Sequence, residues 1–198
     1  MRRRWLWLPA AVAAIVVGGS MVWAGYQRPH PQVVTSGAAD VGGPFALIDQ
    51  RGRPFTDRDL KGRPALVFFG FTYCPEVCPT TLTHMSAWLK SLGPDADKLN
   101  VVFISIDPER DTPAQLATYL SSFDPRIRGL TGTVAAVDKV AGEYRVYHRK
   151  IPLPGGSYTM DHSAVIYALD RGGGLSGILT YDEPDAKALA TIKALVAS

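Results

Sequence analysis

Apolar and polar positions change period several times along this chain. Residues 5–23 carry no charge and a single hydroxyl, Ser20. An apolar run of about 20 residues is long enough to cross a bilayer as a helix. It predicts a transmembrane anchor over 5–26, after a cytoplasmic stub at 1–4. Residues 27–40 hold Pro29 and Pro31, show no period, and read as a tether. From residue 41 to 198 the pattern is that of one globular domain. Phe45 to Ile48 reads as a strand closed by the turn Asp49-Gln50-Arg51-Gly52. Thr56 caps a short helical turn ending at Leu60. The uninterrupted run Ala65-Leu66-Val67-Phe68-Phe69 predicts a strand covered on both faces, and Val101-Val102-Phe103-Ile104-Ser105 predicts a second.

Helical spacing alternates with these strands. Leu82, Met85, Trp88, Leu89 and Leu92 share one face of a helix expected over 80–92, with Pro79 at its first position. Pro113 opens another helix, carrying Leu116, Ala117, Leu120 and Phe123 on one side. Thr133 caps a helix over 134–144. Residues 164–169 are a third strand, 171–174 a turn, and 175–180 a strand returning as a hairpin. Ala186, Leu189, Ile192 and Val196 give the C-terminal stretch an amphipathic face. The order predicts an α/β sandwich built on a central mixed sheet flanked by helices.

Charge changes the picture at one end only. The chain has 198 residues with 21 Lys+Arg against 18 Asp+Glu. Without Arg2, Arg3 and Arg4 the count is 18 against 18. No general basic excess remains for phosphate backbones, which argues against a nucleic-acid partner. The three arginines sit just before the apolar run, and Trp5, Trp7, Trp23 and Tyr26 lie at its ends. Basic residues stay on the cytoplasmic side and aromatic rings favour the interfaces. The expectation is therefore a single-pass bacterial inner-membrane protein with its domain in the periplasm. A cleaved signal peptide is the rival, with a core longer than such peptides use.

Cys74 and Cys78 are the only cysteines. That excludes a disulfide-rich scaffold and a four-cysteine zinc or iron–sulfur site within one chain. Both lie in Cys74-Pro75-Glu76-Val77-Cys78-Pro79, between the carboxyl end of a buried strand and a helix start, where sites form in open α/β sheets. A helix N-terminus favours anions, so both thiols are expected to lean toward thiolate. Three readings stand: buried cysteines acting as small hydrophobes, a static disulfide, or a dithiol that does redox chemistry or holds a soft metal. Two thiolates leave a metal's shell incomplete. Among the histidines, His30 lies in the tether, and His84 and His148 read as solvated surface residues. His162 stands at the entry of the third strand. Asp107 and Asp111 close the second strand and should face the cysteines' rim, with Asp111 or Thr112 capping the next helix.

Three segments together resemble the Sco/SenC family: Gly70-Phe71-Thr72-Tyr73-Cys74-Pro75-Glu76-Val77-Cys78-Pro79, then Asp107-Pro108-Glu109-Arg110-Asp111-Thr112-Pro113, then Asp161-His162-Ser163. The resemblance runs from about Val41 to Thr180. It implies a membrane-tethered, thioredoxin-like copper protein. It implies Cys74, Cys78 and His162 as ligands of Cu(I) or Cu(II), and a redox role for the Cys74/Cys78 dithiol. Asp107 and Asp111 become outer groups that tune the site or meet a partner. It also implies partners: the copper A site of cytochrome c oxidase subunit II, a copper donor chaperone and a thiol reductant. The role is mainly that of a metallochaperone, with thiol-disulfide reductase activity beside it. A thiol-disulfide oxidoreductase without a metal is the rival class, and a peroxiredoxin-like peroxidase or a redox or copper sensor are the others. The loop at 152–157 is expected to move and to hold His162 away from the cysteines in the metal-free protein.

Overall fold

The computed structural model describes residues 41–198. The stub, anchor and tether expected at 1–40, with His30, lie outside the described residues. Among the described residues, no helix is long and apolar enough to cross a membrane.

Among the described residues, nine strands and four α-helices follow the order β1 (Ala46–Asp49), β2 (Pro54–Thr56), β3 (Ala65–Gly70), α1 (Val77–Leu92), β4 (Asn100–Ser105), α2 (Pro113–Leu120), β5 (Ile127–Thr131), α3 (Val134–Glu143), β6 (His148–Pro152), β7 (Tyr158–His162), β8 (Val165–Leu169), β9 (Leu175–Thr180) and α4 (Asp185–Ala197). Seven strands form one mixed sheet in the order β2-β1-β5-β4-β3-β8-β9. The β3–β4 and β4–β5 pairs are parallel and the rest antiparallel. Every residue of β3 is buried, which is why it reads as an unbroken apolar run.

Side chains alternate across this sheet. On one face Phe68 packs on Phe103, and Gly129 leaves room for Leu116 and Leu120 of α2. On the other, Phe69 meets Tyr144, just past α3, and Tyr167 of β8. Helix α1 buries Cys78, Thr81, Leu82, Met85, Trp88, Leu89 and Leu92, spaced three and four apart. Its Trp88 indole N–H donates to Asp185 at the start of α4 at 2.7 Å, tying the two helices together.

The sheet differs from the sequence expectation in three places. Strand β2 has three residues, too few to show a period. Strand β5, Ile-Arg-Gly-Leu-Thr, hides its pattern behind Gly129, whose missing side chain admits the α2 leucines. Residues 148–162 form a separate hairpin, β6–β7, in which His148 stands opposite His162. His162 therefore ends a strand of its own, three residues before β8. Helix α1 also starts earlier than expected, with Pro79 in its third position. The first four N–H groups of a helix have no partner within it, so a proline there forfeits no hydrogen bond.

Candidate metal centre

Three elements converge at the carboxyl ends of β3 and β4. The segment after β3 carries Cys74, the first turn of α1 carries Cys78, and the end of β7 carries His162. Cys78 is buried and Cys74 half-buried. Gly70 ends β3 because a side chain there has no room: a Cβ would come within 2.8 Å of the Cys78 sulfur and 2.7 Å of the Phe103 ring. Both cysteines are free thiols rather than a disulfide. The Cys78 backbone N–H, an orphan donor of the helix N-terminus, reaches the Cys74 sulfur at 3.4 Å.

The two thiols part in acidity. The hydrogen bond from the Cys78 thiol pulls Cys74 down to about 4, against its burial, with help from the backbone N–H groups of Cys78 and Glu76. The same bond pushes Cys78 far up, and burial and the adjacent Cys74 charge add to it. The expectation that both lean toward thiolate is thus corrected. Once Cys74 is charged, a second thiolate beside it in a buried site is strongly disfavoured.

His162 is fixed by both ring nitrogens. Nδ1 lies 2.9 Å from the Ser163 carbonyl, which can only accept, so Nδ1 carries the proton. That leaves Nε2 to the sulfurs, 3.8 Å from Cys78 Sγ. Phe71 packs against the imidazole edge to face, with ring centroids 5.8 Å apart. The loop at 152–157 is the turn of the β6–β7 hairpin. It is closed by the Leu153 N–H on the Ser157 carbonyl, with Gly155 and Gly156 at φ of 85° and 82°. His162 stands beside the cysteines, and a held-away imidazole is not what the structure has.

Donors of this kind suit a soft metal ion. Sulfur at about 2.3 Å and imidazole nitrogen at about 2.0–2.1 Å from one ion, at 110–120° to each other, stand about 3.6–3.8 Å apart. The Cys78–His162 separation of 3.8 Å falls at the upper end of that span. Among the described residues, no three or more His, Cys, Asp and Glu stand grouped so that they could hold a metal ion as placed. Cys78 Sγ meets His162 Nε2, and the Cys78 N–H meets Cys74 Sγ.

Asp107 and Asp111 are both buried, and both hold the frame of the site. Asp111 accepts from the Thr72 N–H at 3.0 Å, the Thr72 hydroxyl at 2.6 Å and the Ser105 hydroxyl at 2.6 Å. It thereby locks the segment leading to Cys74 onto the end of β4. It does not cap α2; Thr112 does, accepting from the Gln115 N–H. Burial raises the Asp111 carboxyl, and its three donors only partly offset this. Asp107 accepts from the Tyr158 hydroxyl at 2.7 Å and from the Arg110 guanidinium. Arg110 also donates to the Tyr158 carbonyl at 2.8 Å. It lies over the Tyr158 ring at 3.7 Å and the Tyr73 ring at 4.6 Å. One guanidinium thus joins the segment next to Cys74 to the hairpin that ends in His162. Arg110 and Tyr158 had no assigned role in the sequence reading. No spacing rule finds them, because they meet across 48 residues. His84 faces Asp185, and His148, paired across the hairpin with His162, faces Asp138.

Known proteins resemble the chain along this whole domain. The family model SCO1/SenC matches residues 33–197. "Protein SCO2, mitochondrial" of Saccharomyces cerevisiae is 42% identical over 152 residues, 74% of this chain and 50% of that protein. This chain therefore spans about half the length of that relative. "Protein SenC" of Rhodobacter capsulatus is 38% identical over 170 residues, covering 81% of this chain and 76% of that one. Among solved structures, ScoI of Bradyrhizobium japonicum with copper bound superposes with a TM-score of 0.75 at 51% identity, over 78% of this chain and 99% of that one. The thioredoxin-like mixed sheet flanked by helices is common to both.

Proposed function

The chain belongs to the SCO1/SenC family, and on that premise we propose that it is a copper carrier for assembly of the copper A centre of cytochrome c oxidase, holding the ion through Cys74, Cys78 and His162. The observation that carries this reading is the meeting of Cys78 Sγ and His162 Nε2 at 3.8 Å beside the Cys74 sulfur, with the opposite ring nitrogen proton-bonded to a carbonyl. The copper-bound state of a protein 51% identical supports it. Copper is the cargo. Cys74 offers a ready thiolate, His162 a lone pair on Nε2, and Cys78 a second thiolate after losing its proton. Delivery is ligand exchange: a thiolate of the acceptor, subunit II of the oxidase, takes the ion, and Cys78 regains a proton. A copper donor chaperone loads the site. The apolar run at 5–26 holds the domain at the outer face of a bacterial inner membrane.

A second role has its own observation. An accessible Cys74 held as thiolate beside a buried, protonated Cys78 is the arrangement of a dithiol reductant. Cys74 attacks the acceptor's disulfide and releases one of its sulfurs. Cys78, giving its proton to that leaving thiolate, then attacks Cys74. The acceptor's second sulfur leaves as a thiolate that takes a proton from water, and the chain keeps the Cys74–Cys78 disulfide, which a thiol reductant must restore.

Anaerobic copper titration of the reduced full chain tests the carrier reading. The expected result is one copper per chain, with tight binding lost in Cys74→Ala, Cys78→Ala and His162→Ala. If the reduced wild-type chain takes no copper, the reductase alone remains. Its activity would survive His162→Ala and disappear in Cys74→Ala.

A further inference from the structure

The other end of the sheet carries a second feature that the copper chemistry does not use. A cleft of about 270 Å³ opens there between the β1–β2 turn, the segment before β3 and the starts of β4 and β5. Five arginines line it: Arg51, Arg53, Arg63, Arg126 and Arg128. Residues 41–198 contain ten arginines, so half of them meet at this one place, and no lysine lines it. The domain as a whole has no basic excess, so the gathering is local.

The charges do not cancel. Arg53 pairs with Asp49, and Arg126 pairs with Asp124 and more loosely with Asp97 at 3.6 Å. Arg51, Arg63 and Arg128 have no ion pair among the described residues. Arg63 donates only to the Asp97 carbonyl, and Arg128 lies over the Phe55 ring at 5.1 Å, with the capping carboxylate of Asp59 in its field. The floor is buried sheet, Val101, Val102 and Ile127, which keeps water from one side of anything bound. Guanidinium groups are planar forks that match phosphate oxygens two at a time, and they remain charged at any working pH.

We infer that this arginine-lined cleft is a binding site for a phosphate-bearing anion, either a free polyphosphate-like ion or the headgroup of an anionic phospholipid. The three guanidiniums without an ion pair, those of Arg51, Arg63 and Arg128, provide the binding charge. Arg53 and Arg126, held by their carboxylates, shape the walls. The cleft lies at the start of β4 and the thiols at its end, five residues or about 17 Å away along the strand. An occupant can therefore bind without touching the copper ligands.

The test uses the copper-free, reduced full chain in neutral detergent. One arm titrates pyrophosphate. The other titrates short-chain phosphatidylglycerol against short-chain phosphatidylcholine. Each is followed by calorimetry and by hydrogen exchange of residues 51–63 and 126–128. Binding below about 1 mM is expected in at least one arm, weakening with added salt, with protection confined to those segments. Arg51→Ala/Arg63→Ala/Arg128→Ala should weaken it at least about tenfold, while Arg149→Ala, on the hairpin, leaves it unchanged. Copper stoichiometry should be the same in all three proteins, showing that the fold survives. Pyrophosphate alone identifies a free anion as the occupant; phosphatidylglycerol without phosphatidylcholine identifies a headgroup. Absence of binding in both arms, or equal binding by the triple variant, overturns the site.

Discussion

At neutral pH the dithiol carries a single negative charge. Cys74 is a thiolate, drawn down to about 4 by the Cys78 hydrogen bond, and Cys78 keeps its proton. Copper held by both sulfurs must then expel one proton rather than two. Between about pH 7 and 8.5 the dissociation constant should fall about tenfold per pH unit. Competition titrations against a chelator of known pH dependence measure this, and a hundredfold fall per unit would mean that Cys74 begins as a thiol. The sign for stability follows from the same shift. A depressed acid stabilises the fold above its unfolded value near 9, and loses that contribution as the pH falls toward 4. Cys74 alkylation should accordingly run at a pH-independent rate from about pH 6 to 8, with Cys78 silent in the native state. Asp111 acts at the same scale. Replacing it with Ala leaves the buried Ser105 hydroxyl and two Thr72 donors without their acceptor. A loss of about 2–4 kcal/mol is expected in denaturant unfolding.

Elements position the candidate ligands, and their junctions are where small changes matter. Arg110 bridges Tyr73, beside Cys74, to Tyr158 at the start of the strand that ends in His162. Arg110→Met keeps the length of the side chain and removes both the hydrogen bonds and the charge. Copper affinity should fall about 10–100-fold, as it does when a partner behind a ligand is lost. The alkylation rate of Cys74 serves as the control and should not change, because the dithiol itself is intact. Gly70→Ala acts from beneath. Its methyl would meet the Cys78 sulfur and the Phe103 ring, both inside contact distance. Thermal unfolding should register about 1–3 kcal/mol of destabilisation, together with weakened copper binding. Most elements were legible in the sequence because their periods are long and uniform, as in β3, β4 and α1. The β6–β7 hairpin was not. Met160 is the one buried residue of its two strands, so burial imposes no alternation, and its basic stretch His148-Arg149-Lys150 reads as a surface loop.

Within residues 41–198 the sheet carries Cys74, Cys78 and His162 at one end and an arginine-lined cleft at the other. Copper bound only to the reduced fold should raise its melting temperature. At a free concentration of about 100 times the dissociation constant the gain is about 2.7 kcal/mol, or about 5–11 °C for a domain of this size. Scanning calorimetry should show no such shift after Cys74 and Cys78 are oxidised, because a disulfide has no thiolate to offer. Much of this was in the sequence alone. Two cysteines at the strand–helix junction, a histidine ahead of a strand and the charge balance outside Arg2–Arg4 are all matters of residue type and order; the dithiol follows from them, and His162 as its third donor follows from the resemblance to the Sco/SenC motifs. What needed the tertiary structure was every relation across distant segments. Cys78 and His162 are 84 residues apart and meet because a hairpin folds back over the end of β3. The split acidity of the thiols comes from one hydrogen bond and unequal burial, which no spacing of two cysteines encodes. The five arginines sit on three separate segments, and only the packing of β1, β4 and β5 brings them to one cleft.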